Sequence, residues 1–356
     1  MVYAGRHVRG PDAQVERFVD ALVAEIGLRA RPGAALASVY VGGGTPSLLP
    51  PAQVERVLLA ADALFPFDAA PEITIEVNPG RDDRGDLAGF RAAGVTRVSI
   101  GAQSFVAGEL RRLGRRHAAA DIVETVHEAR AAGFESISLD LLYDVPGQTM
   151  ESWLESVEAA LALEPDHVSA YALTLDDDVA GTADHLPPRP GATHWRARAG
   201  SEQDQDRAAD MYELADSMLA HAGLSWYEIS NWSRPGHESR HNLAYWTGQP
   251  WEGLGPGAHR FDGTNRGWNA ARISDYLAAL DAGRLPPGGS DVTAQPAERL
   301  VLRLRTSQGI ERELLPAVAL AWAHESGLIE AAQGGRVRLS RRGRLMANEV
   351  FVRLLP

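Results

Sequence analysis

The chain contains no cysteine. Disulfides, thiol nucleophiles, zinc sites built on thiolates and cysteine-ligated iron–sulfur clusters are therefore excluded for these 356 residues as they stand. Lysine is absent too, so all 35 basic residues are arginine. That removes Schiff-base chemistry and the lysine of a phosphate-binding loop. No apolar run is long enough to span a bilayer, and Met1-Val2-Tyr3-Ala4-Gly5-Arg6 opens without the apolar core of a secretion signal. The cytoplasm is the expected location. Positive charge is outweighed as well: 47 acidic groups leave a net charge of −12. Non-specific nucleic-acid binding needs a positive surface to displace counterions, so nucleic acid is not an expected partner.

What is present is the composition of a packed globular chain, 45% hydrophobic and 23% charged, long enough for one large domain or two ordinary ones. The first two-thirds alternate short β-rich runs with helical periodicity. Strands are expected over 36–41, 73–77, 97–101, 137–142 and 167–173, with helices over 52–64, 86–93, 119–132 and 150–163 between them. Repeated strand–helix units predict a parallel sheet with crossover helices. The pattern breaks over 176–205, rich in Asp, Pro, Gly and Arg, which reads as a long loop or lid. A helix over 206–222 and a short strand over 226–229 follow, and 230–269 reads as loop. From Ala294 onward a small separate unit is expected, with helices near 298–305 and 314–326, a two-stranded piece around 329–339 and a last helix over 342–354.

Polar or glycine positions close five successive expected strands: Gly43, Gly44 and Thr45; Glu76; Gln103; Asp140; and Ala172 to Thr174. In α/β barrels the ligand site lies at the C-terminal ends of the strands, so these residues would converge on one pocket. Solvated loops also make strand ends polar; it is the set, with Glu76 and Asp140 closing strongly apolar strands, that favours a site. The run Gly42-Gly43-Gly44-Thr45-Pro46 lets a backbone approach a ligand, although a tight turn would use the same glycines. Neither it nor Gly253-Leu254-Gly255-Pro256-Gly257 has the spacing and context of a dinucleotide fingerprint. Arg115 suits a ligand carboxylate through its planar fork; the alternative is a solvated arginine. His241, in His241-Asn242-Leu243-Ala244-Tyr245-Trp246, is either a heme ligand among aromatic rings or a hydrogen-bonded structural histidine. A zinc site from His237, His241 and His259 is the weaker option, because their spacing fits no helical pair.

Taken together, these motifs resemble a known family. Val39-Tyr40-Val41-Gly42-Gly43-Gly44-Thr45-Pro46, Glu76-Val77-Asn78-Pro79, Val98-Ser99-Ile100-Gly101-Ala102-Gln103-Ser104-Phe105, Leu113-Gly114-Arg115-Arg116-His117 and Ser138-Leu139-Asp140-Leu141-Leu142-Tyr143 are similar, in order, to the radical S-adenosylmethionine (SAM) family related to oxygen-independent coproporphyrinogen III oxidase. Tyr227-Glu228-Ile229-Ser230-Asn231-Trp232 and the His241 motif resemble its heme chaperone branch, HemW, and the similarity extends over nearly the whole chain. The resemblance implies an α/β fold: a partial (β/α)6 TIM-like barrel without its first strand, plus a small C-terminal α+β domain of winged-helix type. The implied division is a barrel over 1–235, a connecting region over 236–293 and the small domain over 294–356.

Carried over by position, Gly43, Gly44 and Thr45 would contact the methionine end of SAM. Glu76, Gln103, Arg115 and Asp140 would hold its amino, carboxylate and ribose groups, and the strand ending at Ala172 would line the adenine. His241 is the implied heme ligand; no catalytic residue is assigned. The family also carries a [4Fe-4S] cluster on a Cys-x3-Cys-x2-Cys motif that this chain lacks. The resemblance therefore implies either that residues upstream of Met1 supply that motif or that the chain is a cluster-free descendant. Asp144 stands where the family usually has glycine. The implied function is heme binding and delivery to heme-accepting respiratory proteins, with peripheral membrane association. The alternatives are a porphyrinogen oxidase that decarboxylates propionate side chains and a non-catalytic binder of heme or SAM.

Overall fold

The computed structural model describes residues 12–30, 35–174, 199–200, 202–293 and 296–354. Most of the expected lid over 176–205 lies outside them. Helix α1 (Asp12–Arg29) leads into strand β1 (Leu36–Val41), and the chain then alternates through α2 (Pro51–Leu64), β2 (Phe67–Val77), α3 (Leu87–Ala92), β3 (Arg97–Gln103), α4 (Ala107–Arg112), α5 (Ala119–Ala131), β4 (Ser136–Tyr143), α6 (Met150–Leu161) and β5 (His167–Ala172). After α7 (Gln205–His221) come β6 (Ser225–Glu228) and β7 (Asn231–Ser233). These strands form one curled sheet in the order β1-β2-β3-β4-β5-β7-β6. β1 to β5 are parallel, and β7 runs antiparallel to both β5 and β6.

The two faces of this sheet differ completely. Side chains alternate along a strand, and one parity is apolar: Ile73, Ile75 and Val77, Val98 and Ile100, Ile137, Leu139 and Leu141, Val168 and Ala170 pack into the main core with the covering helices. The other parity is polar: Glu72, Thr74 and Glu76, Arg97 and Ser99, Ser138 and Asp140, His167 and Ser169. Strands of parallel sheets normally read as continuous apolar runs because both faces are buried in hydrocarbon. Here the concave face is built for polar contents. Register lines Glu76 up with Ser99, Ser99 with Ser138 and Ser138 with His167.

Local signals explain the helices that cover the outer face. Thr149 and Ser152 cap α6 reciprocally, each side-chain oxygen accepting the other's backbone N–H at 3.1–3.2 Å. Asp204 caps α7 by accepting from the N–H groups of Asp206 and Arg207. Asp144 adopts φ 54°, the left-handed region that explains a glycine preference at this position. An aspartate tolerates it better than most residues, and Arg207 binds its carboxylate at 2.8 Å.

Residues 230–269, expected as loop, instead contain β7, the helix α8 (Arg240–Trp246) and the strands β8 (His259–Phe261) and β9 (Asn265–Trp268). Elements of three to seven residues are too short to show a hydrophobic period. α9 (Ile273–Asp281) and β10 (Ser290–Thr293) complete a second, antiparallel sheet region in the order β10-β9-β8. The sequence reading assigned no element to α1. Its buried Glu25 accepts from Arg29 Nε, Asn269 Nδ2, Tyr276 Oη and the Gly255 N–H at 2.7–2.8 Å, which fastens the helix to this region.

The C-terminal unit comprises α10 (Pro296–Leu304), β11 (Ile310–Glu311), α11 (Ala317–Glu325), β12 (Ile329–Ala331), β13 (Arg336–Leu339), α12 (Arg341–Leu345) and α13 (Ala347–Leu354). It has three strands rather than the expected two, in the antiparallel order β11-β13-β12, and a core of its own around Leu304, Ile310, Leu328, Leu339 and Val350. The expected last helix is broken at Met346, whose φ and ψ of −105° and 25° are not helical. Asp216 on α7 bonds Arg344 at 2.9 Å and Arg341 at 2.6 Å, joining this unit to the outer layer of the barrel.

Candidate functional site

At the C-terminal ends of β1 to β4 a cleft of about 200 Å³ opens on the concave side. It is lined by Gly44, Thr45, Pro46, Glu76, Val77, Asn78, Ser99, Gly101, Gln103, Arg115 and Asp140. Five of the residues expected from strand ends, Gly44, Thr45, Glu76, Gln103 and Asp140, therefore meet in one place, and Arg115, singled out separately, joins them. Gly43 stands immediately beside them, its N–H donating to Glu76 Oε2 at 2.9 Å. Ala172 is exposed at the end of β5, paired with Tyr143, and does not line the cleft.

The glycine run is shaped by close approach. Gly43 and Gly44 have φ of 84° and 88°, which only glycine adopts freely. A Cβ on Gly42 would lie 2.6 Å from the Tyr40 ring and 2.9 Å from Glu76 Oε1. Gln103 takes φ 66° where the β3–β4 register shifts, a backbone conformation of the kind found where surrounding structure enforces a functional geometry. Asn78 Nδ2 donates to Thr45 Oγ1 at 3.0 Å, and Arg115 Nη1 reaches Asn78 Oδ1 at 3.4 Å. Arg115 makes no ion pair among the described residues, so its guanidinium is the cleft's cation and is available to an anionic group. Burial lowers its pKa from the usual arginine value.

Asp140 and Glu76 supply negative charge on the neighbouring walls. Burial raises the Asp140 carboxyl to about 6, hydrogen bonds from Ser99 and Ser169 oppose that, and the charge of Glu76 adds to it. Ser99 Oγ donates to Asp140 Oδ2 at 2.8 Å. The cleft thus offers one cation and two carboxylates. The arrangement matches a zwitterionic ligand carrying hydroxyls. Sequence reasoning passed over Asn78 and Ser99 as site residues. Asn78 follows Glu76 by two positions. Ser99 shares the inward parity of Arg97, so strand alternation was the signal that could have found it.

His241 lies elsewhere, below the cleft on the concave face. It opens α8, whose N-terminus is capped by Ser239 Oγ, accepting from the Asn242 N–H, and by Glu72, accepting from the N–H groups of Arg240 and His241. Both ring nitrogens are engaged: Nδ1 with Ser38 Oγ at 3.2 Å and Nε2 with Tyr245 Oη at 2.8 Å. The ring stacks on Tyr40 with centroids 5.0 Å apart. Burial lowers its pKa to about 4, so it is neutral near pH 7. In this conformation neither nitrogen presents a free lone pair to iron. Among the described residues no group of three His, Asp or Glu side chains converges as a metal site, so His237, His241 and His259 do not form the zinc site considered above.

Residues 3–160 match the Radical SAM superfamily. The chain is 38% identical to "Heme chaperone HemW" of Mycobacterium tuberculosis over 353 residues, covering 96% of this chain and 86% of that protein. It is 32% identical to "Heme chaperone HemW" of Bacillus subtilis, covering 95% of this chain and 90% of the other. Among solved structures, coproporphyrinogen III oxidase (HemN) from Escherichia coli, a radical SAM enzyme, superposes with a TM-score of 0.76 over 96% of this chain and 83% of its own, at 22% identity. At that identity the superposition speaks for the fold alone. Similarity of this extent and identity along almost the entire chain places this protein in the HemW family of the radical SAM superfamily.

Proposed function

We propose that the protein is a heme chaperone that binds heme and passes it to acceptor proteins, and that its barrel cleft holds SAM. The observation that carries the chaperone reading is the extent of the similarity to HemW proteins, which spans the barrel, the connecting region and the C-terminal unit alike. In the cleft, Arg115 would hold the methionine carboxylate and Glu76 its ammonium. Asp140 would take a ribose hydroxyl or the positive sulfonium side, and Gly44 would admit the ligand against bare backbone. The wall residues Asn78, Ser99 and Gln103 would orient it through hydrogen bonds. SAM bound in a radical enzyme supplies a carbon radical on reductive cleavage.

The residues present fit SAM and do not fit an iron–sulfur cluster. The chain has no cysteine, and among the described residues no cluster of other metal-ligating side chains replaces the missing thiolates. The acceptors are proteins in general; respiratory proteins are the class that the resemblance suggests. Among the described residues no helix is long and apolar enough to cross a membrane.

The test is heme titration of the purified protein followed by mixing with an apo heme protein. Saturable heme binding and a Soret band that moves to the acceptor support the reading. Failure to bind heme, with decarboxylation of coproporphyrinogen by the same protein, would replace it with the oxidase.

A further inference from the structure

Tyr40 connects two places that the sequence separates. Its hydroxyl donates to Glu76 Oε1 at 3.1 Å on the cleft wall, and its ring lies on the His241 imidazole with centroids 5.0 Å apart. Glu76 in turn holds the glycine loop through the Gly43 N–H at 2.9 Å. Nothing in this stack is loose, because a side chain on Gly42 would collide with both Tyr40 and Glu76. His241 is fixed from four directions: Ser38 on Nδ1, Tyr245 on Nε2, Tyr40 on one face and Glu72 on its backbone N–H. The Tyr245 ring meets it edge-on at 4.8 Å, which leaves little of the imidazole open. A histidine that ligates iron directs one nitrogen at the metal and secures the other. Here both are secured by protein hydroxyls.

We infer that His241 is a positioning residue for the ligand cleft rather than an iron ligand: its ring is the platform that holds Tyr40, and through Tyr40 it sets Glu76 and the glycine loop. Removing the ring leaves Tyr40 unsupported and strips partners from the Ser38 and Tyr245 hydroxyls. Tyr40 then has room to tilt, and the carboxylate it orients moves with it. Substitution of His241 should therefore be felt as weaker ligand binding at Glu76, on the far side of Tyr40 from the change.

The inference rests on the cleft being the SAM site. The test measures SAM affinity by calorimetry and the absorption spectrum of bound heme, in the wild-type chain, His241→Ala, His241→Phe and Tyr40→Phe. His241→Phe keeps a flat ring under Tyr40 and cannot ligate iron. The expected result is about a tenfold weaker affinity for SAM in His241→Ala, the size of effect that loss of a supported charged hydrogen bond produces, with substantial recovery in His241→Phe. Tyr40→Phe should be about as weak as His241→Ala, and combining it with His241→Ala should add little, because both act through the same contact. The heme spectrum should be unchanged in His241→Phe. Thermal melting of each variant separates these effects from unfolding. Unchanged SAM affinity in folded His241→Ala, or a heme spectrum that loses an axial ligand in His241→Phe, overturns the inference while leaving the cleft's reading intact. A wild-type protein that does not bind SAM overturns both.

Discussion

Ile75, Ile100 and Leu139 on the convex face of the barrel sheet are completely buried against helices. One position along the same strands, Glu76, Ser99 and Asp140 face the concave side and line or border the cleft. Both sets share the same backbone and register, so the difference lies in the contents of the two compartments. The convex side excludes water by apolar packing, and its side chains contribute through area and fit. The concave side is filled by hydrogen-bonded polar groups, including a buried chain in which Ser138 Oγ meets His167 Nδ1 at 2.8 Å and His167 Nε2 meets Tyr227 Oη at 2.8 Å. Burial lowers the His167 pKa well below the ordinary histidine value, so this ring is neutral. Stability and ligand recognition are thus assigned to opposite parities of the same strands, and substitutions should separate them.

The largest effect is expected on the convex side. Leu139→Ala removes a fully buried side chain from the centre of the core and should destabilise the fold by about 2–5 kcal/mol. Urea unfolding measures the loss, and the variant that remains folded should bind SAM as the wild type does. A large drop in affinity without loss of stability would break the division between faces.

Glu76→Gln makes the complementary test. It keeps one acceptor oxygen, which can take the Gly43 N–H while the new amide NH2 donates to the Tyr40 hydroxyl, and it removes the charge. Affinity for SAM should fall by roughly ten- to a hundredfold, the range for losing a charged hydrogen bond, while the melting temperature changes little. Calorimetry and thermal melting on the same sample decide between a binding role and a packing role.

The finest distinction is the pH response of Asp140. Its carboxyl is raised to about 6, whereas an unfolded aspartate titrates near ~3.9. A cationic ligand favours the ionised form, so SAM affinity should rise as pH increases through about 6 and level off above it. Stability runs the other way. The native carboxyl holds its proton more tightly than the unfolded chain does, so this group's contribution is greatest below about pH 4 and is lost as pH rises towards 6. Asp140→Asn should flatten both curves. An affinity that does not change between pH 5 and 8 would remove Asp140 from the ligand's electrostatics.

Much of the barrel was legible in the sequence because its signals are local. A strand that ends in Gly42-Gly43-Gly44, a helix that closes at Gly133 and the switch from β-rich runs to helical spacing set element positions to within a few residues, except that β2 begins six residues earlier than expected and β3 ends two residues later. The convergence of Thr45, Glu76, Gln103 and Asp140 was also legible, because parallel strands place all their C-terminal ends together. Asn78 and Ser99 were passed over because their contribution depends on side-chain direction and register. The elements over 231–268 escaped notice because each spans at most two periods of its pattern, too few to be recognised.

His241 marks the limit most clearly. Its neighbours Tyr245 and Trp246 suggested a ring environment open to heme. The contacts that define it come from Ser38 and Tyr40, about two hundred residues earlier in the chain, and no local pattern encodes such pairings. The sequence by itself determined the alternation of strands and helices, the polar strand ends and the family, because these follow from local propensity, side-chain period and residue identity. Only the tertiary structure decided that both nitrogens of His241 are occupied and that Tyr40 carries its support to Glu76, because such long-range contacts exist only once the sheet has curled and the short helix has docked beneath it.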